Sequence, residues 1–131
     1  MYKFLFTLSL ALCLVSTPTH AQSTAFLGVG HLCSAATGTG ACTTIGPVKS
    51  GRKVYQAVVT GTGAVTATVL IQGSLDATIH GWITIGTITL SGTTTATDAF
   101  VTNTSWPFIR GNVSAVTGTG ATIYVTESAE R

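Results

Sequence analysis

Gly81-Trp82-Ile83-Thr84-Ile85-Gly86-Thr87-Ile88-Thr89-Leu90 is the stretch whose reading decides the fold. It is β-branched nearly throughout, carries one large aromatic and contains no charge. A branch at Cβ restricts χ1 and packs well on a pleated, half-buried surface. The stretch therefore predicts a strand. Trp82 and Ile88 are its expected core anchors. Gly86 is expected to mark a bulge or a close approach between strands.

Strands are expected on both sides of it. From Arg52 the chain alternates: Val54, Gln56, Val58 and Thr60 share one face, and Tyr55, Ala57 and Val59 the other. Beyond Gly61-Thr62-Gly63, Val65, Ala67, Val69 and Ile71 form an apolar row against Thr66, Thr68, Leu70 and Gln72. A period of two with one apolar face is the pattern of a sheet covering a core. Gly73 to Asp76 and Ser91 to Thr93 read as turns. Further strands are expected at Thr97 to Val101, Trp106 to Val113 and Ala121 to Thr126, with Pro107 placing an edge or bulge. Thr-Gly-Thr-Gly-Ala recurs at 37–41, 60–64 and 117–121. Strands flank the second and third copies, so the expectation there is tight hairpins, with glycine supplying positive φ. A phosphate-cradling loop would open a helix and be followed by Lys-Ser or Lys-Thr, and no copy is. No window shows a capped 3.6-residue period. About 7–8 short strands at such spacing predict an all-β chain, a single antiparallel β-sandwich or jelly roll.

Composition sets the compartment. Only 8% of the 131 residues are charged, and the formal charge is +2, against about 25% charged in an average soluble protein. Thr, Ser and Gly fill the deficit. No acidic or basic field invites nucleic acid. Lys3, the apolar run Phe4 to Val15, Pro18 and the small Ala21 read as a signal peptide over 1–21. The run is shorter than the roughly 20 residues of a membrane span. Cleavage after Ala21 leaves 110 residues, a charge of +1 and no membrane segment. It also leaves two cysteines, Cys33 and Cys42, which predict one disulfide in an exported chain. His31 is the one other metal ligand nearby, too few for zinc. The expected divisions are the signal, an arm with the disulfide loop over 22–50, a β-sandwich over 51–126 and a polar tail over 127–131.

Catalytic chemistry finds little support. Asp76 and His80 are four apart and close to Trp82, but the reading preferred is a turn residue and a loop residue. Asp98 is expected to shape a turn. There is no Gly-x-Ser-x-Gly elbow and no His-Glu-x-x-His. Threonine is abundant but lacks a basic partner. The expectation is no enzyme, no cofactor and no metal. Asn103-Thr104-Ser105 and Asn112-Val113-Ser114 match the glycosylation sequon, which matters only in a eukaryotic secretory route. Trp82, Trp106, Arg110 and Tyr124 are the candidate surface-binding residues: the aromatics as a sugar-stacking platform, Arg110 as an anion clamp. The competing fates are core packing for the rings and stacking or pairing for Arg110.

The run Val54-Tyr55-Gln56-Ala57, Gly61 to Val69, Gly73 to Asp76, Trp82 to Gly92, Trp106 to Val113 and Thr117 to Ala121 resembles small β-sandwich structural proteins of tailed bacteriophages, the head-decoration or virion-accessory type, over about residues 52–126. The resemblance implies binding to a capsid or tail surface, with no catalytic residues and a virion location. A cleavable signal and the Cys33–Cys42 loop lie outside that pattern. Two functions follow as expectations. One is a non-enzymatic structural β-sandwich working through self-association or a larger assembly. The other is an exported, periplasmic or extracellular module that binds glycan or a cell surface.

Overall fold

The computed structural model describes residues 29–46, 51–78 and 81–129. The signal over 1–21, the start of the arm and His80 lie outside the described residues. Six strands form one antiparallel sheet: β1 (Val29–Ala36), β2 (Gly40–Ile45), β3 (Lys53–Ser74), β4 (Ile83–Gly92), β5 (Thr95–Thr102) and β6 (Phe108–Ala129). The all-β expectation holds. The strand count does not, because two strands of 22 residues replace several short ones.

β3 and β6 pair along nearly their whole length, from Lys53 opposite Ala129 to Ser74 opposite Phe108. Each then takes two outer neighbours in succession. β5 pairs with Lys53 to Thr60 and β4 with Val65 to Gly73 of β3. β1 pairs with Ile123 to Ser128 and β2 with Ile109 to Val113 of β6. The first half of the sheet therefore runs β1-β6-β3-β5 and the second half β2-β6-β3-β4. The segment read as an arm supplies β1 and β2, and β6 continues through Glu127 to Ala129.

The two glycine repeats inside these strands are not hairpins. Thr62 pairs with Thr119, and the register shifts on both sides, between Thr60 and Thr62 and between Thr62 and Thr66. Extra residues at this point bend and twist the ribbon without ending it. Gly118 shows why glycine is needed: its φ is +122°, and a Cβ there would lie 2.8 Å from Val65 Cγ1 and 2.9 Å from the Ala64 carbonyl. A hairpin would have paired Val54–Thr60 with Val65–Gln72. The observed pairing keeps both segments on β6.

The predicted faces of β3 are as expected. Tyr55, Ala57, Val59, Val65, Val69 and Ile71 are fully buried, and they join Leu32, Ile88, Ile109, Ile123 and Val125 in a single core. Both halves of the sheet thus bury the same side. In β4, Gly86 behaves as expected on both counts. It lies beside the register shift opposite Ile71, and a Cβ on it would stand 2.4 Å from the Phe100 ring of β5. Ile88 is a core anchor, fully buried. Trp82 is not: it lies half-buried just before β4.

Cys33 of β1 and Cys42 of β2 form the expected disulfide, with Cα atoms 5.2 Å apart. It fastens together two outer strands that each pair with β6. Its loop is short, so the chain-entropy estimate is about 2–3 kcal/mol. Replacing both cysteines by serine should lower unfolding stability by that amount in urea melts; an unchanged midpoint would remove the disulfide as a stabilising link.

Candidate functional site

The surface candidates do not converge. Arg110 faces outward on β6, directly opposite Gln72 of β3. Its Nε donates to Gln72 Oε1 at 2.9 Å. The guanidinium carbon lies 4.2 Å from the Trp82 ring centre. Arg110 is thus held by stacking and by a side-chain amide, the structural fate rather than an open anion clamp. Trp106 packs elsewhere, against Gly73, with its ring 2.5 Å from where a Cβ would be. Tyr124 is on the other half of the sheet, opposite Val58 and 42% exposed. Three aromatics in three places do not make the stacking platform.

The carboxylates are also apart. Asp76 follows the end of β3 in the second half. Its Oδ1 accepts from the Thr78 N–H at 3.0 Å, the Thr78 hydroxyl at 2.9 Å and the Ser74 hydroxyl at 3.1 Å. These bonds, the Thr78 backbone N–H foremost, hold the carboxyl below its ordinary range. Asp76 is the turn residue expected. Asp98 lies within β5, opposite Ala57 in the first half, and accepts from the Ala99 N–H at 2.8 Å. It sits in a strand rather than a turn. Among the described residues no three His, Cys, Asp or Glu side chains gather closely enough to hold a metal ion. Of the sequons, Asn112 is half-buried in β6 and Asn103 exposed just after β5.

One polar cluster was not expected. Lys53 and Glu127 form an ion pair at 3.4 Å, with side chains 0% and 6% exposed. Lys53 is one step out of phase with nothing: it continues the buried row of Tyr55, Ala57 and Val59. Glu127 likewise continues Ile123 and Val125, and stands opposite Tyr55. The Tyr55 hydroxyl is buried with no hydrogen-bond partner. Burial, and then the charge of Glu127, push its ionisation well above the usual tyrosine range. The Tyr55 and Phe100 rings lie nearly parallel, with centres 6.2 Å apart.

The other feature built by the strands is the pair of outward faces. On the first half, cross-strand register sets Val29, Ser128, Val54 and Val101 in one row and His31, Thr126, Gln56 and Ala99 in the next. Tyr124, Val58 and Thr97 follow, then Thr122, Thr60 and Thr95. On the second half the outward residues are chiefly Thr66, Thr68, Thr84, Thr87, Thr89 and Thr117, with Arg110. Thr66 and Thr117 share a hydrogen bond of 2.7 Å between their hydroxyls. No protein-family model, no curated protein and no solved structure matches this chain.

Two outcomes test the buried cluster. Lys53→Met or Glu127→Gln alone leaves a buried group unpaired and should cost about 3–5 kcal/mol. The double variant Lys53→Met/Glu127→Leu should cost less than the sum of the two single changes, read by denaturant unfolding. Tyr55→Phe removes an unsatisfied buried hydroxyl and should stabilise by about 1 kcal/mol. Folding raises the Tyr55 ionisation, so its neutral form contributes fully below about pH 10 and stability is lost as pH rises beyond it. The advantage of Tyr55→Phe should therefore grow above that pH; a gap that stays flat would show that Tyr55 ionises equally in folded and unfolded chains.

Proposed function

We propose that this chain is a non-enzymatic structural building block, similar to the virion accessory proteins of tailed bacteriophages, acting through broad protein–protein contacts in a larger assembly. The observation that carries this reading is the chemistry of the outward faces. Across the described, strand-paired outward positions of both halves, the single ammonium, guanidinium or carboxylate group is that of Arg110, and Arg110 is engaged with Trp82 and Gln72. Surfaces that lack charge are suited to wide contacts with other protein faces, whose interiors are likewise depleted in charge.

The strand order supports a jelly-roll reading of the fold. If each long strand is cut at its glycine bend, eight segments result. In chain order they fall into two sets of four, first-third-sixth-eighth and second-fourth-fifth-seventh, the pairing of a double Greek key. Phe100 of β5 against Gly86 of β4, and the Cys33–Cys42 link, join the two sets across the core. Export is part of the proposal, and the disulfide is compatible with it. The glycan-binding alternative stands second, because Trp82, Trp106 and Tyr124 are dispersed.

Mass spectrometry of purified particles, periplasm and culture medium from the source tests the proposal. Peptides from 52–126 should be enriched in the particle fraction, with the mature chain starting at Gln22. Confinement to soluble periplasm or medium, together with retention on immobilised glycans, would overturn it in favour of the binding module.

A further inference from the structure

The proposed function leaves the buried ion pair of the first half unused. Lys53 is the first residue of β3, and Glu127 lies near the end of β6. Register sets Glu127 directly opposite Tyr55, with Lys53 the next inward residue along β3. Lys53 Nζ is 3.4 Å from Glu127 Oε1, longer than the roughly 2.7–2.9 Å of a tight charge-assisted hydrogen bond. Lys53 is fully buried, and among the described residues that carboxylate is the hydrogen-bond partner of its nitrogen. An ammonium carries three N–H donors, so one long contact satisfies it poorly. The carboxylate lies against apolar neighbours: Oε2 is 3.6 Å, and Ile45 Cδ1 2.8 Å, from the point where a Cβ on Gly30 would stand. Two charges taken out of water and held this loosely are costly.

We propose that Lys53 and Glu127 condense with each other into an isopeptide bond, a self-modification site inside the core. The ion pair is the reactant geometry. One ammonium proton passes to the carboxylate, leaving an amine and a carboxylic acid. The lone pair of Nζ attacks Cδ, and the carbonyl electron pair moves onto oxygen. The tetrahedral centre then expels its hydroxyl, which takes a second proton from nitrogen. The Nζ–Cδ bond forms, one Cδ–O bond breaks and one water leaves. No oxidant, reductant or further reactant enters. The product is a neutral amide, so the cost of two buried charges departs with the water. The attacking nitrogen already stands 3.4 Å from an oxygen bonded to the carbon it attacks. Reacting groups held at about 3–3.5 Å behave as if at very high concentration.

Tyr55 supplies the donor the step needs. It stands across from Glu127 on the same buried side, and its hydroxyl is buried with no hydrogen-bond partner. Burial, and then the charge of Glu127, keep the proton on it. During attack, negative charge develops on the Glu127 oxygen, and a fixed donor in a dry site stabilises such charge. This gives a reason for an orphan hydroxyl in a row where phenylalanine would pack as well. The bond joins the start of β3 to the end of β6, 74 positions apart. It thereby locks the strand pairing on which the others hang. The inference goes beyond the assembly reading and does not depend on it.

Mass spectrometry of the mature full chain, reduced and denatured, tests this. The intact chain should be lighter than its sequence by one water. Trypsin does not cut after a condensed lysine, so Lys53 to Arg110 should appear joined to Gly111 to Arg131 in one branched species. Lys53→Met should keep its full mass. Tyr55→Phe retains both reacting groups, and circular dichroism checks its fold, so it remains informative should Lys53→Met fail to fold. Isolated at successive times after synthesis, it should condense at least tenfold more slowly than wild type. An unmodified wild-type mass with separate peptides, or a water loss mapped to another pair of residues, would overturn the isopeptide. An unchanged rate in Tyr55→Phe would overturn the role given to Tyr55. None of these readouts depends on where the chain is found, so their failure leaves the assembly reading standing.

Discussion

Every other strand hangs on the pairing of β3 with β6. Among the described residues, β1 and β2 pair with β6, and β4 and β5 with β3. The central pair is itself far from local, since Lys53 meets Ala129. Bringing such distant segments together costs loop-closure entropy before the flanking strands return anything. The sequence meets that cost with length: many cross-strand pairs, and a buried apolar row on each side of the glycine bend, reward one closure event. The Cys33–Cys42 link then ties the two strands on the β6 side, so that order in one half is passed to the other.

A pairing this long needs its register defined. Valine, isoleucine and threonine alternate so evenly that a shift of two residues keeps apolar side chains on the core side. Lys53 and Glu127 break that degeneracy. In the observed register their charges meet inside the core end of the first half, 3.4 Å apart. A shift of two residues would separate them while leaving both buried, and a shift of one would turn the whole apolar row to water. The pair contributes less to stability than apolar residues of similar size would, but it penalises the wrong alignments heavily. The Tyr55 hydroxyl, unpartnered beside Glu127, is the residual cost of holding charge there.

Much of this was readable from alternation. The buried row of β3, the burial of Ile88, the close approach at Gly86 and the Cys33–Cys42 bond all follow from period, residue type and spacing. What escaped did so for physical reasons. Thr-Gly-Thr-Gly-Ala between two alternating runs fits a hairpin and a bulged mid-strand bend equally well, because glycine permits both; only the distant partner decides, and no local pattern carries that information. Trp82 was placed inside because it is large and apolar, yet it ends a loop where Arg110 offers a cationic surface to stack on. Lys53 and Glu127 each continue a buried row by phase, but charge at the start of an alternating run draws no attention and charge after the last one reads as a polar tail. The dispersal of Trp82, Trp106 and Tyr124 could not be read from the sequence at all: the bend puts Tyr124 on the other half, and Trp82 and Trp106 lie on opposite sides of the sheet beside Gln72 and Gly73.

The same bend gives the chain two outward faces. That of the first half mixes threonine with exposed Val29, Val101 and Tyr124. That of the second half carries threonine hydroxyls, some already bonded to each other as in Thr66 with Thr117, and the stacked Trp82–Arg110 unit near its end. Hydroxyl-rich faces lose water less willingly than apolar ones, so contacts there keep bridging water. A ribbon bent where Thr62 meets Thr119 thus carries two outward faces of different character, one with Val29, Val101 and Tyr124 exposed among hydroxyls and one dominated by threonine around the Trp82–Arg110 stack.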